Sequence, residues 1–409
     1  MFANGFTIKM SKVVCIHIGA RAHYLIPKAL QKKELLHTLI TDTWVGNKIV
    51  RNLFLMFPVT IVKSLAGRYA SSIPQKKIKT LGITFWLYEI YLRLTYSYGW
   101  ALITKRDDRF QAVVSNKLYE ISGATAVMGI SYTSLKCFEI AKSKNLKTIL
   151  FQIDPGLDEE NVVAELISTG INRTSWERAP KEYWQHWKEE CALADVIMVN
   201  SAWSKSGLIN QGIEEHKIRI IPLPFDLKQE HYAFARSFPS QFTKQRPLRC
   251  LFLGTLTLRK GIHLVLEAAK VLEEFPVEFI LVGRNEIDER LLTGKNITYK
   301  GIVTREETDC YYQDADVFLF PTLSDGFGLT QLEAMAWQLP VIASENCGSV
   351  VQHNHNGWIV DTIDSKKLLL QLQFILNNPS IIQIYSANTI STVKKFSTDK
   401  FANDLSEIV

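Results

Sequence analysis

The residues with the most chemistry in this chain lie in one stretch, Ser324 to Ser344, which reads SDGFGLTQLEAMAWQLPVIAS. Two carboxylates, Asp325 and Glu333, flank a glycine pair, Gly326 and Gly328, just after the apolar run DVFLFP. Glycine has no Cβ, so the main chain there is open to close approach. A helix-like apolar pattern starts near Gly328, and the first turn of a helix leaves amide hydrogens unpaired and carries positive partial charge. The main chain of Gly326, Phe327, Gly328, Leu329 and Thr330 is therefore a candidate cradle for a diphosphate. Glu333, a little over one turn further on, is placed to accept hydrogen bonds from vicinal hydroxyls such as those of a ribose. Asp325 can do the same for a second sugar. One acid per sugar with a diphosphate between them describes a nucleotide sugar.

These residues need a frame to hold them. KVVCIHI, ATAVMGI, KTILFQI and DVIMVNS read as buried strands in the first half, and LRCLFLG, VEFILVG, NITYKG and DVFLFP in the second. Between them LKCFEIAKSKN, EYWQHWKEECALA and IHLVLEAAKVLEEF carry apolar residues at the helical period. Such alternation predicts parallel sheets with helices on both faces, and here it occurs twice. The expected fold class is α/β: two Rossmann-like doubly wound domains, with ligands in the cleft at their strand ends. A chain of 409 residues suits two ordinary cores. The expected division is a first domain over 1–225, a proline-bearing connection over 226–247, a second domain over 248–390 and a C-terminal helix over 391–409. The sequence leaves open which domain that helix packs on. Apolar content of 47% with 22% charged residues excludes a disordered chain.

The ordered series FLGTLTLRKGIHLVLEAAKVL, FILVG, KGIVTREETDCYYQDADVFLFP, SDGFGLTQLEAMAWQLPVIAS and GWIVD resembles retaining glycosyltransferases of the GT-B fold, the group 1 or family 4 enzymes. Their Glu-x7-Glu signature becomes Asp-x7-Glu here. The likeness covers nearly all of the second domain, and VNSAWSKSGLINQGIEEHKIRIIPLPFD gives a weaker echo of the family's crossing between domains. It implies transfer of a sugar from a nucleotide-diphosphate-sugar donor to an acceptor hydroxyl, with retention and with neither metal nor resident cofactor. On this likeness Asp325 orients the transferred sugar, Glu333 the ribose, and Lys260 matches the family's phosphate-binding lysine. Gly254, Thr255, Arg259 and Arg284 join the donor site, and the acceptor belongs to the first domain. The departing phosphate takes the acceptor proton on the same face, so no separate base is sought.

The chain departs from the family in several places. Asp325 is one methylene shorter than the usual Glu. Thr255 stands where an arginine often follows the glycine, with Arg259 nearby to take over. Gln338 occupies a left-handed helix end usually given to glycine, at a cost of ~1 kcal/mol. The family often offers a histidine near the donor sugar, but VMGISYTS and FQIDPGLDEE contain none, leaving His17 and His23 as unassigned substitutes. These departures motivate an alternative, a catalytically inactive relative acting as a binding or partner subunit. A sugar-nucleotide epimerase is a third reading.

The net charge of +6 is concentrated: between Val45 and Arg109 eleven basic residues face only Glu89, Asp107 and Asp108. Within it, IVRNLFLMFPVTIVKSLAGRY and LGITFWLYEIYLRLTYSYGWALI are apolar and aromatic, yet broken by Arg51, Pro58, Lys63, Glu89 and Arg93. They are too interrupted to span a bilayer. Two readings stay open: a surface that docks on an anionic membrane, suited to a lipid-linked or growing glycan acceptor, and an aromatic insertion packed on its own domain. Asp314 and Asp316 match a metal-binding Asp-x-Asp in spacing but precede a buried strand, where structural acids are commonplace. KQRPLR and KKIK read as solvated charge, so no nucleic-acid partner is expected. Six widely spaced cysteines and an opening MFANGFTIKM without a secretory apolar run point to the cytoplasm, peripheral at the inner face of the membrane if the basic segment docks.

Overall fold

The computed structural model describes residues 11–56, 65, 67–96, 99–168, 176–362 and 366–409. MFANGFTIKM, Pro58 and Lys63 lie outside them. Among these residues two sheets form, with neighbouring strands running parallel. The first has the order β3-β2-β1-β4-β5-β6-β7. Its strands are β1 (Val13–His17), β2 (Leu36–Thr41), β3 (Ile78–Thr80), β4 (Ala126–Ile130), β5 (Lys147–Phe151), β6 (Val196–Val199) and β7 (Ile218–Ile220). The second has the order β10-β9-β8-β11-β12-β13. It comprises β8 (Leu248–Leu253), β9 (Val277–Val282), β10 (Ile297–Gly301), β11 (Val317–Phe320), β12 (Val341–Ala343) and β13 (Gly357–Ile359).

Every residue of β1, β4 and β11 is buried, as expected of strands covered by helices on both faces. In each sheet the strand order reverses once, between β1 and β4 and between β8 and β11. A crevice opens at the carboxyl ends of the strands at such a point. The loops after β8 and β11 therefore meet at one corner, and the segment after β5 faces them from the first domain. The helix expected near Gly328 begins at Thr330 and ends at Ala336.

The connection between domains is firmly held. Arg236 sends its guanidinium to the main-chain oxygens of Tyr312 (2.5 Å), Gln313 (3.1 Å), Trp337 (2.8 Å) and Ala315. It thus satisfies the carbonyl ends of two helices, Arg305–Asp314 and Thr330–Ala336, which have no partners inside their own helix. Gln338 has φ of 57°, the left-handed conformation expected, and its side-chain amide donates to the Phe234 carbonyl at 2.6 Å. The C-terminal helix Thr398–Glu407 crosses back to the first domain. There Asp399 pairs with Lys32, Thr398 N–H donates to Asp226 at 2.9 Å, and Phe225 N–H donates to Phe396 at 2.7 Å.

In the basic aromatic segment the helix Ile83–Thr95 turns Phe85 and Leu92 inward. Ile83, Trp86, Leu87, Ile90, Tyr91 and Leu94 lie on the solvent side at helical spacing, with Leu94 81% exposed. Ile49 and Leu53, on the helix Lys48–Met56, are exposed as well. No helix among the described residues is long and apolar enough to cross a membrane. Several cations of this segment are committed internally. Arg68 pairs with buried Asp42 at 2.5 Å, Arg106 with Asp107 at 2.7 Å, and Lys77 donates to Leu36 O at 2.6 Å and Gln31 at 2.9 Å.

Candidate active site

A cleft of about 900 Å3 separates the domains, lined by Thr255, Arg259, Lys260 and Arg284 from the second and by Val163 and Trp176 from the first. Four of the expected donor residues thus share one space. Gly254 follows β8 just before them, its N–H held by Val282 O at 2.9 Å. Arg284 reaches Glu286, which also lines the cleft.

Asp325 joins this group through its cations. It pairs with Lys260 Nζ and lies 3.6 Å from Arg259 Nη1, while its other oxygen accepts the Phe327 N–H at 3.1 Å. Burial alone would raise its pKa, but Lys260 and Arg259 outweigh burial and hold the carboxyl below its ordinary range. One amide of the expected phosphate cradle, that of Phe327, is therefore already taken. Phe327 itself is buried against Phe396, with ring centroids 6.0 Å apart.

Glu333 has partners of its own. It accepts the Tyr312 hydroxyl at 3.0 Å and lies 3.8 Å from Arg305, which in turn meets His23 of the first domain. His23 belongs to an unusual turn: Ala22, His23 and Tyr24 all have left-handed backbones, with φ of 45°, 50° and 58°. Residues with a Cβ pay for that conformation. His17 is buried with Nδ1 2.8 Å from Gly19 O, and burial pushes its pKa down to about 4, so it is a neutral structural ring. Asp316 is likewise structural, fully engaged by Arg246 at 2.6 Å and by the Arg249 N–H at 2.9 Å.

The structure gives the glycine pair a different reason from the one expected. A Cβ at Gly326 would sit 1.9 Å from the Ile153 carbonyl of the first domain, so the bare main chain here lets two backbones meet. Gly328 has φ of 80°, and a Cβ there would lie 2.5 Å from the Phe320 ring.

Sequence reasoning missed the first domain's contribution. Glu159, on the helix Leu157–Ser168, lies 3.4 Å from Arg259 Nε and accepts the Ser324 hydroxyl at 3.0 Å. Arg259 also donates to Ser324 O at 2.9 Å, and Trp203 donates to the Ser324 hydroxyl at 3.0 Å. Burial raises the Glu159 carboxyl to about 7 although Arg259 pulls it down. Glu159 and Asp325 together hold Arg259 above its ordinary value against burial. Nearby Asp154 accepts from Gln152 at 2.9 Å, from Gly156 N–H at 3.0 Å and from the Tyr132 hydroxyl, and Tyr132 is itself left-handed with φ of 74°. Both acids lie in FQIDPGLDEE. An acidic first turn is ordinary for a helix, so no sequence signal marked Glu159.

Residues 247–378 match the family model described as glycosyl transferases group 1. The chain carries a group 1 glycosyltransferase domain. The amylovoran biosynthesis glycosyltransferase AmsK of Erwinia amylovora is 26% identical over 182 residues, which is 40% of this chain and 45% of that protein. The match thus spans just under half the length of this relative. Sucrose-phosphate synthase from Thermosynechococcus elongatus superposes with a TM-score of 0.64 at 17% identity, covering 97% of this chain and 98% of that one. Anabaena HepE, solved with UDP and glucose, gives 0.61 at 13% identity, with the same coverage of both chains. At such identities the likeness speaks to the fold, and the glycosyltransferase domain with its partner adopts the two-domain GT-B arrangement.

Proposed function

We propose that the chain transfers a sugar from a nucleotide-diphosphate sugar to the hydroxyl of a glycan or lipid-linked acceptor, with retention at the anomeric carbon. One observation carries this reading: Arg259 and Lys260 lie side by side on a cleft of donor size, each facing a carboxylate where a diphosphate would compete. The glycosyltransferase domain and the UDP and glucose held by a neighbour of the same fold support it.

In this scheme the bond from the anomeric carbon to the phosphate oxygen breaks, and negative charge gathers on the diphosphate. Lys260 and Arg259 stabilise that charge, the fixed electrostatics that usually dominate such catalysis. The acceptor oxygen bonds to the same face of the anomeric carbon, and its proton passes to the departing phosphate. Counter-charge comes from side chains, and the scheme calls for no metal ion. Asp325, relieved of Lys260 by the diphosphate, turns to the hydroxyls of the transferred sugar, and Glu333 serves the ribose. The main chain from Gly326 to Thr330 lies beside the diphosphate, but its seven-residue helix contributes less than the two cations. Thr255 and Arg284 line the same cleft, and in this scheme they border the nucleotide.

The acceptor approaches from an anionic membrane surface. The exposed apolar stripe of the helix Ile83–Thr95 and the exposed cations Lys48, Lys76, Lys79 and Arg93 suit an interface where apolar side chains sink among headgroups.

A second reading, an inactive relative that binds a partner, has one observation in its favour: Glu159 already supplies the counter-charge for Arg259. Incubation with UDP-, GDP- and ADP-sugars decides between them. Slow hydrolysis that disappears in Lys260→Ala, with NMR showing the retained anomer released first, supports transfer. No turnover of any donor, with or without lipid or glycan acceptors, rejects it.

A further inference from the structure

We propose that His23, reaching across from the first domain, is a positioning residue for the donor site: it holds the Arg305 guanidinium off Glu333 and so leaves that carboxylate open to the ribose. The ribose role of Glu333 is the one assigned to it in the function proposed above, and His23 acts through it.

Arg305 opens the helix Arg305–Asp314 and stands between two acceptors. One guanidinium nitrogen, Nη1, meets Nε2 of His23, and the other, Nη2, lies 3.8 Å from Glu333 Oε1. Arginine has only donors, so Nε2 of the histidine accepts and the ring proton sits on Nδ1. A separation of 3.8 Å is an ion pair without a hydrogen bond. The second carboxylate oxygen, Oε2, accepts the hydroxyl of buried Tyr312 at 3.0 Å, which fixes the direction of the group. Oε1 accepts no hydrogen bond among the described residues, and the side chain keeps 25% of its surface open. A guanidinium free to move closes on a nearby carboxylate, often through two parallel hydrogen bonds. Here one end of it is tied to the other domain.

The turn that carries His23 is strained. Ala22, His23 and Tyr24 are consecutive left-handed residues with a Cβ, and such strain persists where the surroundings impose it, commonly at sites of function. Burial, Arg305 and Lys28 all lower the His23 pKa, so the ring stays neutral near pH 7 and keeps its accepting nitrogen. Lys28, on the helix Leu25–Lys32, is a second cation at this place, its own pKa lowered by burial and by Arg305. Without His23, repulsion from Lys28 and attraction to Glu333 both act on Arg305. A closed Arg305–Glu333 pair then competes with the ribose hydroxyls.

The test compares UDP, GDP and ADP with their 2′-deoxy counterparts by isothermal titration of the full chain. The ribonucleotide should bind about tenfold more tightly, the size expected for a hydroxyl that donates to a carboxylate. His23 is exposed, and His23→Gly relieves the left-handed strain while removing the acceptor. It should lose the ribose preference without lowering the melting temperature. His23→Gln, whose side-chain carbonyl can take the Arg305 N–H, should keep the preference, and Arg305→Ala added to His23→Gly should restore it. A merely structural histidine would change stability and leave the preference alone. In crystals of His23→Gly, Arg305 and Glu333 should close from 3.8 Å to hydrogen-bond distance. A preference lost in Glu333→Ala but retained in His23→Gly, or an unchanged separation in those crystals, would overturn the positioning role and keep the ribose assignment. A preference that survives Glu333→Ala would sink that assignment and the role of His23 with it. Failure of every nucleoside diphosphate to bind would sink the donor reading, and the crystals would still decide whether His23 holds Arg305 away.

Discussion

Replacing Glu159 by glutamine takes one negative charge from beside Arg259 while keeping a group that can accept the Ser324 hydroxyl. In the free protein the carboxylate sits 3.4 Å from the guanidinium, and Asp154 and Asp325 add further negative charge around it. A donor diphosphate must displace it or meet it protonated. Burial raises Glu159 from 4.5 to about 7, so close to nine-tenths of it is protonated at pH 6 and about one-tenth at pH 8. If only the protonated form leaves Arg259 free, donor affinity falls about tenfold over that span, or about 1.4 kcal/mol. Glu159→Gln should bind about tenfold more tightly at pH 8 and lose the slope. The stability effect has a matching sign. A carboxyl raised on folding takes up a proton between pH 4.5 and about 7, so the wild-type fold loses stability as pH rises through that window and the glutamine variant does not. Calorimetric titration with UDP, GDP and ADP from pH 6 to 8 is the assay. A terminal phosphate itself titrates near pH ~6, so the readout is the difference between the two proteins, in which that contribution cancels. Parallel slopes in the two proteins would refute the competition.

Other perturbations probe separate parts of the argument. Lys260→Ala should lower kcat for donor hydrolysis by about a hundredfold, since a fixed charge on the leaving group is lost; it should also let the Asp325 carboxyl titrate higher, visible by NMR. Gly326→Ala drives a Cβ into the Ile153 carbonyl, so small-angle scattering should show the domains apart and kcat/KM should fall while the melting of each domain is retained. Arg236→Ala strands carbonyls at two helix ends and should cost about 2–4 kcal/mol in urea unfolding. Neutralising Lys76 and Lys79 together should weaken sedimentation with anionic vesicles by about 2 kcal/mol, roughly thirtyfold, and Leu87→Ser with Leu94→Ser should weaken it on neutral vesicles too; unchanged binding in both would remove the membrane surface.

The frame was largely legible before folding was considered. Strands such as VVCIH and VFLF are continuous apolar runs because both their faces are covered, and that is a local property. Strands β3, β7, β12 and β13 escaped notice because three residues carry no period, and β2 because His37, Thr38 and Thr41 interrupt its apolar run. The left-handed end at Gln338 and the donor roles of Thr255 and Lys260 came from the family resemblance, and the fold groups Thr255, Arg259, Lys260 and Arg284 because loops after neighbouring strands of a doubly wound sheet meet at its switch point.

What sequence alone determined was therefore everything that depends on a residue's own neighbours: elements, their alternation, and which loops end together. The tertiary structure decided what stands opposite. Glu159 lies a hundred positions from Arg259, Ile153 presses on Gly326, Arg236 serves helices far along the chain, and three of the eleven cations in the basic segment are spent internally. Such pairings arise from the shape of two packed domains, and periodicity carries no record of them, because burial and charge complementarity across a cleft act between surfaces that only folding brings together.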